Sequence, residues 1–553
     1  MKLILEHVYE HEAQQPDQVL FTQPIGSGVV RDITWAQALD EARRMATHLK
    51  SLGLPHGTRM AMLARNSAHF MIAELAVWMA GGCTVAIFPT DSPENVRYVL
   101  EHSEAKLLFI GKLDGWDQLA TAIPAGLPCI ALPLSPAQGM PAWHEIIART
   151  PPLAGRPQRG EDELAMLLYT SGSTGQPKGV MHTFGSAFRA TQGIVEDSAQ
   201  RYGAETRWRV LSYMPLAHCF ERAWVECAAF VGGRTHVFFT DTLTSFMDDL
   251  RRARPTSFLS VPRLWTKFQQ AVFASLPPAQ LNAMLADPAT AGAARRKVLD
   301  NLGLAEVISA GSGSAPLPGE LKQWYRDLGL NLIEGYGMTE DFAFSHSNGT
   351  APGSAGKPYA SVAVRLDEDG EILVRSPGQM VGYYKQPDLN AECFTEDGLF
   401  RTGDLGHYDE NGELRITGRK KELFKTSKGE YVAPAPIENL LNAHPMVELC
   451  IVTGLGQPAP YAVLMLDENL RPKLDDAAVR EQVQAALEHL LRESNESLAQ
   501  HQRLAFIVVA TEPWSIANGC LTATMKIKRS RIEAGVAERV EGWYGEARPV
   551  IWA

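Results

Sequence analysis

Cysteine is scarce in this chain: seven residues in 553, with no CxxC pair and no regular spacing. That scarcity leaves no disulfide framework and no structural zinc site to expect, and it predicts a reduced, cytoplasmic setting. Cys219 and Cys227, the closest pair, read as core-lining residues. A surplus of positive charge is missing as well. Lys and Arg number 52 against 63 Asp and Glu, a formal net charge of -11, which excludes broad attraction to nucleic acid but allows a local basic pocket for a polyphosphate. Nor is there a clean apolar run: the most hydrophobic stretch, Phe70 to Pro89, is broken by Glu74 and by Gly81-Gly82. It predicts a buried helix followed by a strand rather than a transmembrane segment, with peripheral membrane contact left open. The opening MKLILEHVYEHEAQQPD turns acidic early and lacks the apolar core of a signal peptide.

What is present is an ordinary globular composition, 45% hydrophobic and 21% charged, in a chain too long for one core, so at least two domains are expected. Thr34 and Gln37 can form a capping box, after which Trp35, Leu39, Ala42, Ala46 and Leu49 recur at helical spacing up to Gly53. Short apolar runs follow in CTVAIFPT, AKLLFIG and PCIALPL, alternating with helical stretches such as ENVRYVLEHS, and the same alternation returns in THVFF, TSFLSVP and AEVISAG. This is the pattern of layered α/β sheets. In SVAVRLDEDGEILVRS the period shortens to two around the turn DEDG, which predicts a hairpin or a small β-barrel-like part. A boundary is expected within GELRITGRKK, dividing an N-terminal domain, residues 1–417, from a smaller C-terminal α/β domain, residues 418–553, with CIVTG, YAVLMLD and LAFIVVA as strands.

One stretch stands out chemically. LAMLLYT, a buried strand by composition, runs into SGSTGQPKG, where glycines let backbone N–H groups converge on an anion and Ser171, Ser173, Thr174 and Lys178 add hydroxyl donors and a charge. A plain Ser/Gly surface loop has a similar composition; the strand context and the lysine favour phosphate. It is not a Walker A loop, because Lys178 is followed by Gly179. GSGSAP, Gly311 to Pro316, likewise lacks the third glycine of a dinucleotide fingerprint. Downstream, EGYGMTED offers Thr339 and Glu340, a hydroxyl and a carboxylate suited to phosphate oxygen and Mg2+. FRTGDLG sets Asp404 in a glycine turn where it could accept ribose hydroxyls, and ITGRKKELFKTSKGEY adds Arg419 and four lysines that a solvated face would also explain.

Taken together and in this order, YTSGSTGQPKG, MPLAHCFERAW, SAGSGSAPLP, EGYGMTED, FRTGDLG, GRKKELFKTSKGEYVAPAPIE and LTATMKIKR closely resemble the adenylate-forming acyl-CoA synthetase family, specifically its long-chain fatty acid members. The resemblance implies a large N-terminal domain for ATP and the acyl group and a mobile C-terminal domain. It implies that Thr170, Ser171, Gly172, Ser173, Thr174, Gly175 and Lys178 handle the β- and γ-phosphates, that Gly313, Ser314, Ala315 and Pro316 border adenine, and that Tyr336 stacks near the base with Gly337 and Met338 alongside. Thr339 matches the α-phosphate contact, Glu340 the magnesium carboxylate, Asp404 the ribose ligand and Arg419 a second ribose or phosphate contact. His218 lies in the segment expected near the acyl carboxylate, while Trp224 and Trp265 could wall an acyl channel or fill core.

Lys526 occupies the position of the family's C-terminal catalytic lysine; many relatives carry Gly before it, and this chain has Met525. Period-two alternation alone permits Lys528 the same face. Lys421 matches the hinge between half-reactions, and Gly429 the point where pantetheine passes. The implied activity is a long-chain fatty acid:CoA ligase using ATP, Mg2+ and coenzyme A through an acyl-adenylate. An adenylate-forming ligase for another hydrophobic acid, or one serving an acyl-carrier-protein acceptor, is the alternative. Monomer and homodimer are both compatible with the sequence.

Overall fold

The structure is a computed structural model describing residues 1–170, 176–523 and 525–553. Its chain divides into two compact units, Met1–Val364 with Val374–Phe400, and Arg365–Leu373 with Arg401–Ala553.

At the centre of the first unit is a seven-stranded sheet in the order Gly382–Tyr383, Lys178–Thr183, Leu164–Thr170, Cys83–Ile87, Arg59–Leu63, Leu107–Ile110, Cys129–Ala131. Strands 59–63, 83–87, 107–110, 129–131 and 164–170 run parallel, and Leu164–Thr170 then turns back antiparallel into Lys178–Thr183. Parallel strands covered on both faces must be apolar throughout: Ala165, Met166, Leu167 and Leu168 are all fully buried. Register Thr170↔Lys178 puts Thr170 and Lys178 together at the carboxyl end of a parallel strand, where open α/β sheets gather their ligands.

The helix Ala68–Met79 explains the broken apolar run, because every position on it is buried. Such a helix is core on all sides, and Glu74 is tolerated in it because Arg222 pairs with it and the Thr84 hydroxyl donates to it at 2.6 Å. The helix Trp35–Ser51 begins as expected, with Thr34 and Gln37 forming a reciprocal capping box. Two further sheets complete the first unit: a four-stranded one over strands 30–34, 19–24, 235–239 and 208–212, and a five-stranded one over 257–260, 309–312, 332–336, 346–349 and 357–358.

The second unit holds an open four-stranded sheet, Ala363–Leu366, Glu371–Arg375, Phe400–Tyr408 and Leu414–Arg419, whose first two strands are joined by the expected DEDG turn. The Asp367 N–H donates to the Glu371 carbonyl and the Gly370 N–H to the Asp367 carbonyl, closing that hairpin. A second four-stranded sheet, Val447–Thr453, Tyr461–Leu466, Ile507–Val509 and Val550–Trp552, is flanked by Pro434–Asn442 and Ala477–Ser497. No described helix is long and apolar enough to cross a membrane.

Candidate active site

In the first unit three distant stretches converge. The turn after strand Leu332–Tyr336 is a single 3-10 turn, Thr339–Asp341, closed by Phe342 and Ala343, both at positive φ (56° and 54°) without being glycine. Backbone strain of this kind persists only where surroundings over-determine it, and the surroundings here do. Buried Asp341 accepts N–H bonds from Met338 and Phe344 at 2.9 and 3.3 Å, and burial raises its carboxyl to about 7. Trp224 Nε1 donates to the Ala343 carbonyl at 3.1 Å. His182 Nε2 lies 2.7 Å from the Thr339 carbonyl; burial lowers this imidazole to about 4, so at neutral pH the uncharged ring donates there. Thr339 and Glu340 in the same turn are half-buried. Thr339 Oγ1 donates to Cys219 Sγ at 3.4 Å, and Glu340 Oε1 accepts from the Tyr383 hydroxyl at 2.7 Å. Lys178 opens the strand Lys178–Thr183, its Nζ 5.2 Å from the centre of the Tyr383 ring.

His218 caps the next helical segment rather than filling core: its Nδ1 accepts from the Phe220 N–H at 3.2 Å, which puts the proton of the neutral ring on Nε2. The loop before it is tied down by a buried polar network. Asn66 donates to Ser212 Oγ (2.8 Å), to the Met214 carbonyl (2.6 Å) and to Glu221 (3.3 Å), and its Oδ1 accepts from the Leu216 N–H. The Ser212 hydroxyl donates to Glu221 at 2.6 Å, and burial pushes the Glu221 carboxyl up to about 8. Arg222–Cys227 follows as a π-helical turn, locked by Arg222, which pairs with Glu74 and, at 2.8 Å, with Glu226. The turn carries Trp224, stacked on Phe220 with ring centres 5.6 Å apart.

Gly313 to Pro316 follow strand Ser309–Ser312, with Ser314 at φ 71°. Glu334 fixes this turn by accepting from the Leu317 N–H at 2.9 Å and by a buried ion pair with Lys322. Tyr336 ends the adjoining strand opposite His346. At Gly337 an added Cβ would lie 3.0 Å from the Ala343 backbone, so the close turn depends on glycine. Trp265, in contrast, is fully buried among Phe258, Phe268 and Tyr325 and donates to the Gly311 carbonyl. It fills core beneath the Gly311–Pro316 segment.

Within the second unit, Asp404 and Arg419 face each other in register and join through Arg419 Nε at 2.8 Å, the carboxylate buried and the guanidinium exposed. Lys421 sits exposed in the 3-10 turn Lys420–Glu422. Gly429 adopts φ 87° in the exposed turn whose N–H donates to the Thr426 carbonyl. Lys526 is exposed and follows a tight turn in which Met525 takes φ 62°, and the Thr522 N–H donates to the Lys526 carbonyl. A left-handed backbone is the conformation glycine adopts without cost, which gives the physical reason glycine suits the position before this lysine. An acidic trio, Asp367, Asp369 and Glu371, is neutralised by Arg401 and Lys420 and offers no open cation site. Ser171, Gly172, Ser173, Thr174 and Gly175 lie outside the described residues.

Residues 8–384 match the model of the AMP-binding enzyme family, and residues 422–548 match that of the AMP-binding enzyme C-terminal domain. The chain belongs to the AMP-binding enzyme family. Among relatives of this AMP-binding enzyme is the long-chain-fatty-acid–CoA ligase FadD15 of Mycobacterium bovis, 30% identical over 98% of this chain and 96% of that protein. Peroxisomal long chain acyl-CoA synthetase 7 of Arabidopsis thaliana is 26% identical over 98% and 86%. The AMP-binding enzyme is thus an adenylate-forming protein of the acyl-CoA ligase type. Its fold is shared with the A domain of a carboxylic acid reductase from Segniliparus rugosus solved with AMP and a co-purified carboxylic acid (TM-score 0.80, 22% identity, 98% and 94% covered). It is shared too with the anthranilate CoA ligase AuaEII solved with anthranoyl-AMP (TM-score 0.75, 22% identity, 98% of both chains covered).

Sequence reasoning passed over His182, Tyr383, Asn66, Glu221 and Glu334. His182 lies three residues beyond YTSGSTGQPKG, Glu221 inside MPLAHCFERAW and Glu334 at the head of EGYGMTED, each in or beside a motif without an assigned part.

Proposed function

We propose that the protein is a long-chain fatty acid:CoA ligase working in two half-reactions at one site. The observation that carries the reading is the convergence of Lys178, from the strand Lys178–Thr183, with Thr339 and Glu340, from the turn Thr339–Asp341, both lysine and Glu340 meeting Tyr383. The long-chain assignment is supported by a relative at 30% identity along nearly the whole of both chains.

A carboxylate is a poor electrophile, so the acid must first gain a better leaving group. A fatty-acid oxygen attacks the α-phosphorus of ATP, pyrophosphate departs, and an acyl-adenylate results; the coenzyme A sulfur then attacks the carbonyl carbon and AMP departs. Catalysis of the first step rests on charges already aimed at the phosphates. Lys178 and residues 170–175 serve the β- and γ-phosphates, Thr339 the α-phosphate, and Lys526 bridges the acid and the α-phosphate. Glu340 would hold Mg2+: its half-buried carboxylate is oriented by a donor on one oxygen, which suits a cation ligand. When bound, the metal neutralises phosphate charge. Gly313–Pro316 and Tyr336 to Met338 receive adenine, Asp404 with Arg419 the ribose, and His218 the acyl carboxylate region. Lys421 is the hinge, and the turn holding Gly429 serves the thiol step. Burying an acyl tail supplies about 0.8 kcal/mol per CH2, ample for a protein without a spanning helix.

The test is incubation of purified protein with ATP and Mg2+ over a panel of carboxylic acids, with and without coenzyme A, products identified by mass. Acid-dependent AMP and pyrophosphate, with thioester only when coenzyme A is present and greatest turnover on long-chain acids, is expected. Turnover confined to short or aromatic acids would overturn the substrate assignment, and no acid-dependent AMP would overturn the reading altogether.

A further inference from the structure

The short strand Gly382–Tyr383 sits at the edge of the seven-stranded sheet, paired with Val180 and Met181 just after Lys178. Successive side chains of a strand point to opposite faces, and here the two tyrosines part. Tyr384 turns toward His102 and Arg59. Tyr383 turns toward the site, its hydroxyl donating to Glu340 at 2.7 Å and its ring face 5.2 Å from the Lys178 ammonium.

The ring is held by built features. It is 6% exposed, within a cluster of Val180, Met380, Cys393 and Phe400 against which Met338 also packs. Both of its backbone groups are clamped by one side chain: Asn390 Oδ1 accepts from the Tyr383 N–H at 2.7 Å, and Asn390 Nδ2 donates to the Tyr383 carbonyl at 3.0 Å. Asn390 gets this close because residue 382 is glycine, where an added Cβ would lie 2.8 Å from Asn390 Nδ2. From the other side, the Met380 N–H donates to the Glu340 carbonyl at 2.7 Å. A tyrosine that served packing alone would need only some partner for its hydroxyl; this one meets the carboxylate assigned to magnesium while its ring meets the lysine assigned to the phosphates.

We propose that Tyr383 is a positioning residue for adenylation, one side chain that orients the Glu340 carboxylate through its hydroxyl and seats the Lys178 ammonium on its ring face. The role rests on the ligase reading above. Tyr383 acts through Glu340 and Lys178, and Asn390 acts through Tyr383.

The test separates the hydroxyl from the fold. Tyr383→Phe in the full chain keeps the ring in its cluster and over Lys178 and removes only the donor to Glu340. Binding of α,β-methylene-ATP is measured by calorimetry across a series of Mg2+ concentrations, with AMP as the control and the unfolding temperature monitored. Loss of a residue that orients a metal ligand weakens metal binding by about tenfold or more, so the Mg2+ needed for half-maximal analogue affinity is expected to rise about tenfold while AMP affinity and unfolding temperature hold. Asn390→Ala, which frees the clamp and leaves every site group in place, is expected to shift the same curve by a smaller factor. A Mg2+ dependence identical to that of the unsubstituted protein overturns the inference, as does an equal loss of AMP affinity, which would mean general loosening. Should the unsubstituted protein bind the analogue with no Mg2+ dependence, the ligase reading itself falls.

Discussion

Glu221→Gln tests whether the loop carrying His218 is held by a neutral carboxylic acid. Glu221 is buried beside Ser212 and Asn66, and burial raises its carboxyl from the ordinary 4.5 to about 8. Between those values the folded protein keeps a proton that the unfolded chain has released. Stability from this group is therefore complete below pH 4.5 and drains away as pH rises toward 8, at about 1.4 kcal/mol per pH unit and roughly 5 kcal/mol across the window. Gln matches the protonated carboxyl in shape and hydrogen bonding and does not titrate. The variant should thus lose nothing as pH rises, and its stability relative to the unsubstituted protein should climb by about 1.4 kcal/mol per unit from about pH 5 to 8. Asp341, raised to about 7 by causes that do not include Glu221, remains in both proteins and cancels in the difference, whereas Glu226 is raised in small part by Glu221 and drops slightly in the variant. Urea unfolding at about four pH values in that range provides the comparison, scored on the transition that the substitution moves because a chain of two units need not unfold in one step. A difference that stays flat with pH would refute the reasoning, for it would mean Glu221 is ionised throughout.

Three further outcomes follow from the geometry. Arg222→Met leaves Glu74 and Glu226 buried without their cation and should cost about 3–5 kcal/mol in urea unfolding, most of it recovered when both glutamates are also made apolar; a loss under about 1 kcal/mol would contradict the buried triad. Lys526→Ala should reduce carboxylate-dependent adenylation by roughly a hundredfold or more and spare thioester formation from supplied acyl-adenylate, whereas equal losses in the two assays would remove the lysine from its assigned step. Gly429→Leu should show the opposite bias, with the strain of a side chain at φ 87° adding about 1–2 kcal/mol of destabilisation; undiminished thioester turnover would discount the thiol path at this turn.

Legibility in the sequence tracked the distance between partners. Thr34 and Gln37 announce the helix Trp35–Ser51 because a capping box closes within one turn, and Phe70 to Pro89 yields its helix and strand because burial is written into each residue. Motifs whose candidate groups lie next to one another in the chain, such as Thr339 and Glu340 in EGYGMTED, are visible for the same reason. The supports were not: Tyr383 lies 43 positions from Glu340, Asn66 155 from Glu221 and His182 157 from Thr339. No period or spacing links residues that only the folded sheet brings together. Met525 is an intermediate case, an odd residue by resemblance whose meaning needed its φ of 62°. Trp265 shows the reverse, since a lone tryptophan looks the same in sequence whether it walls a channel or, as here, fills core.

The central claim is that the acid is activated by bonding its own oxygen to the α-phosphorus. A long-chain fatty acid carrying heavy oxygen in its carboxylate, turned over with ATP, Mg2+ and coenzyme A, tests this directly by mass analysis of the products. The account predicts that each AMP released carries one heavy oxygen, that the thioester keeps the other, and that pyrophosphate carries none; unlabelled AMP would contradict it.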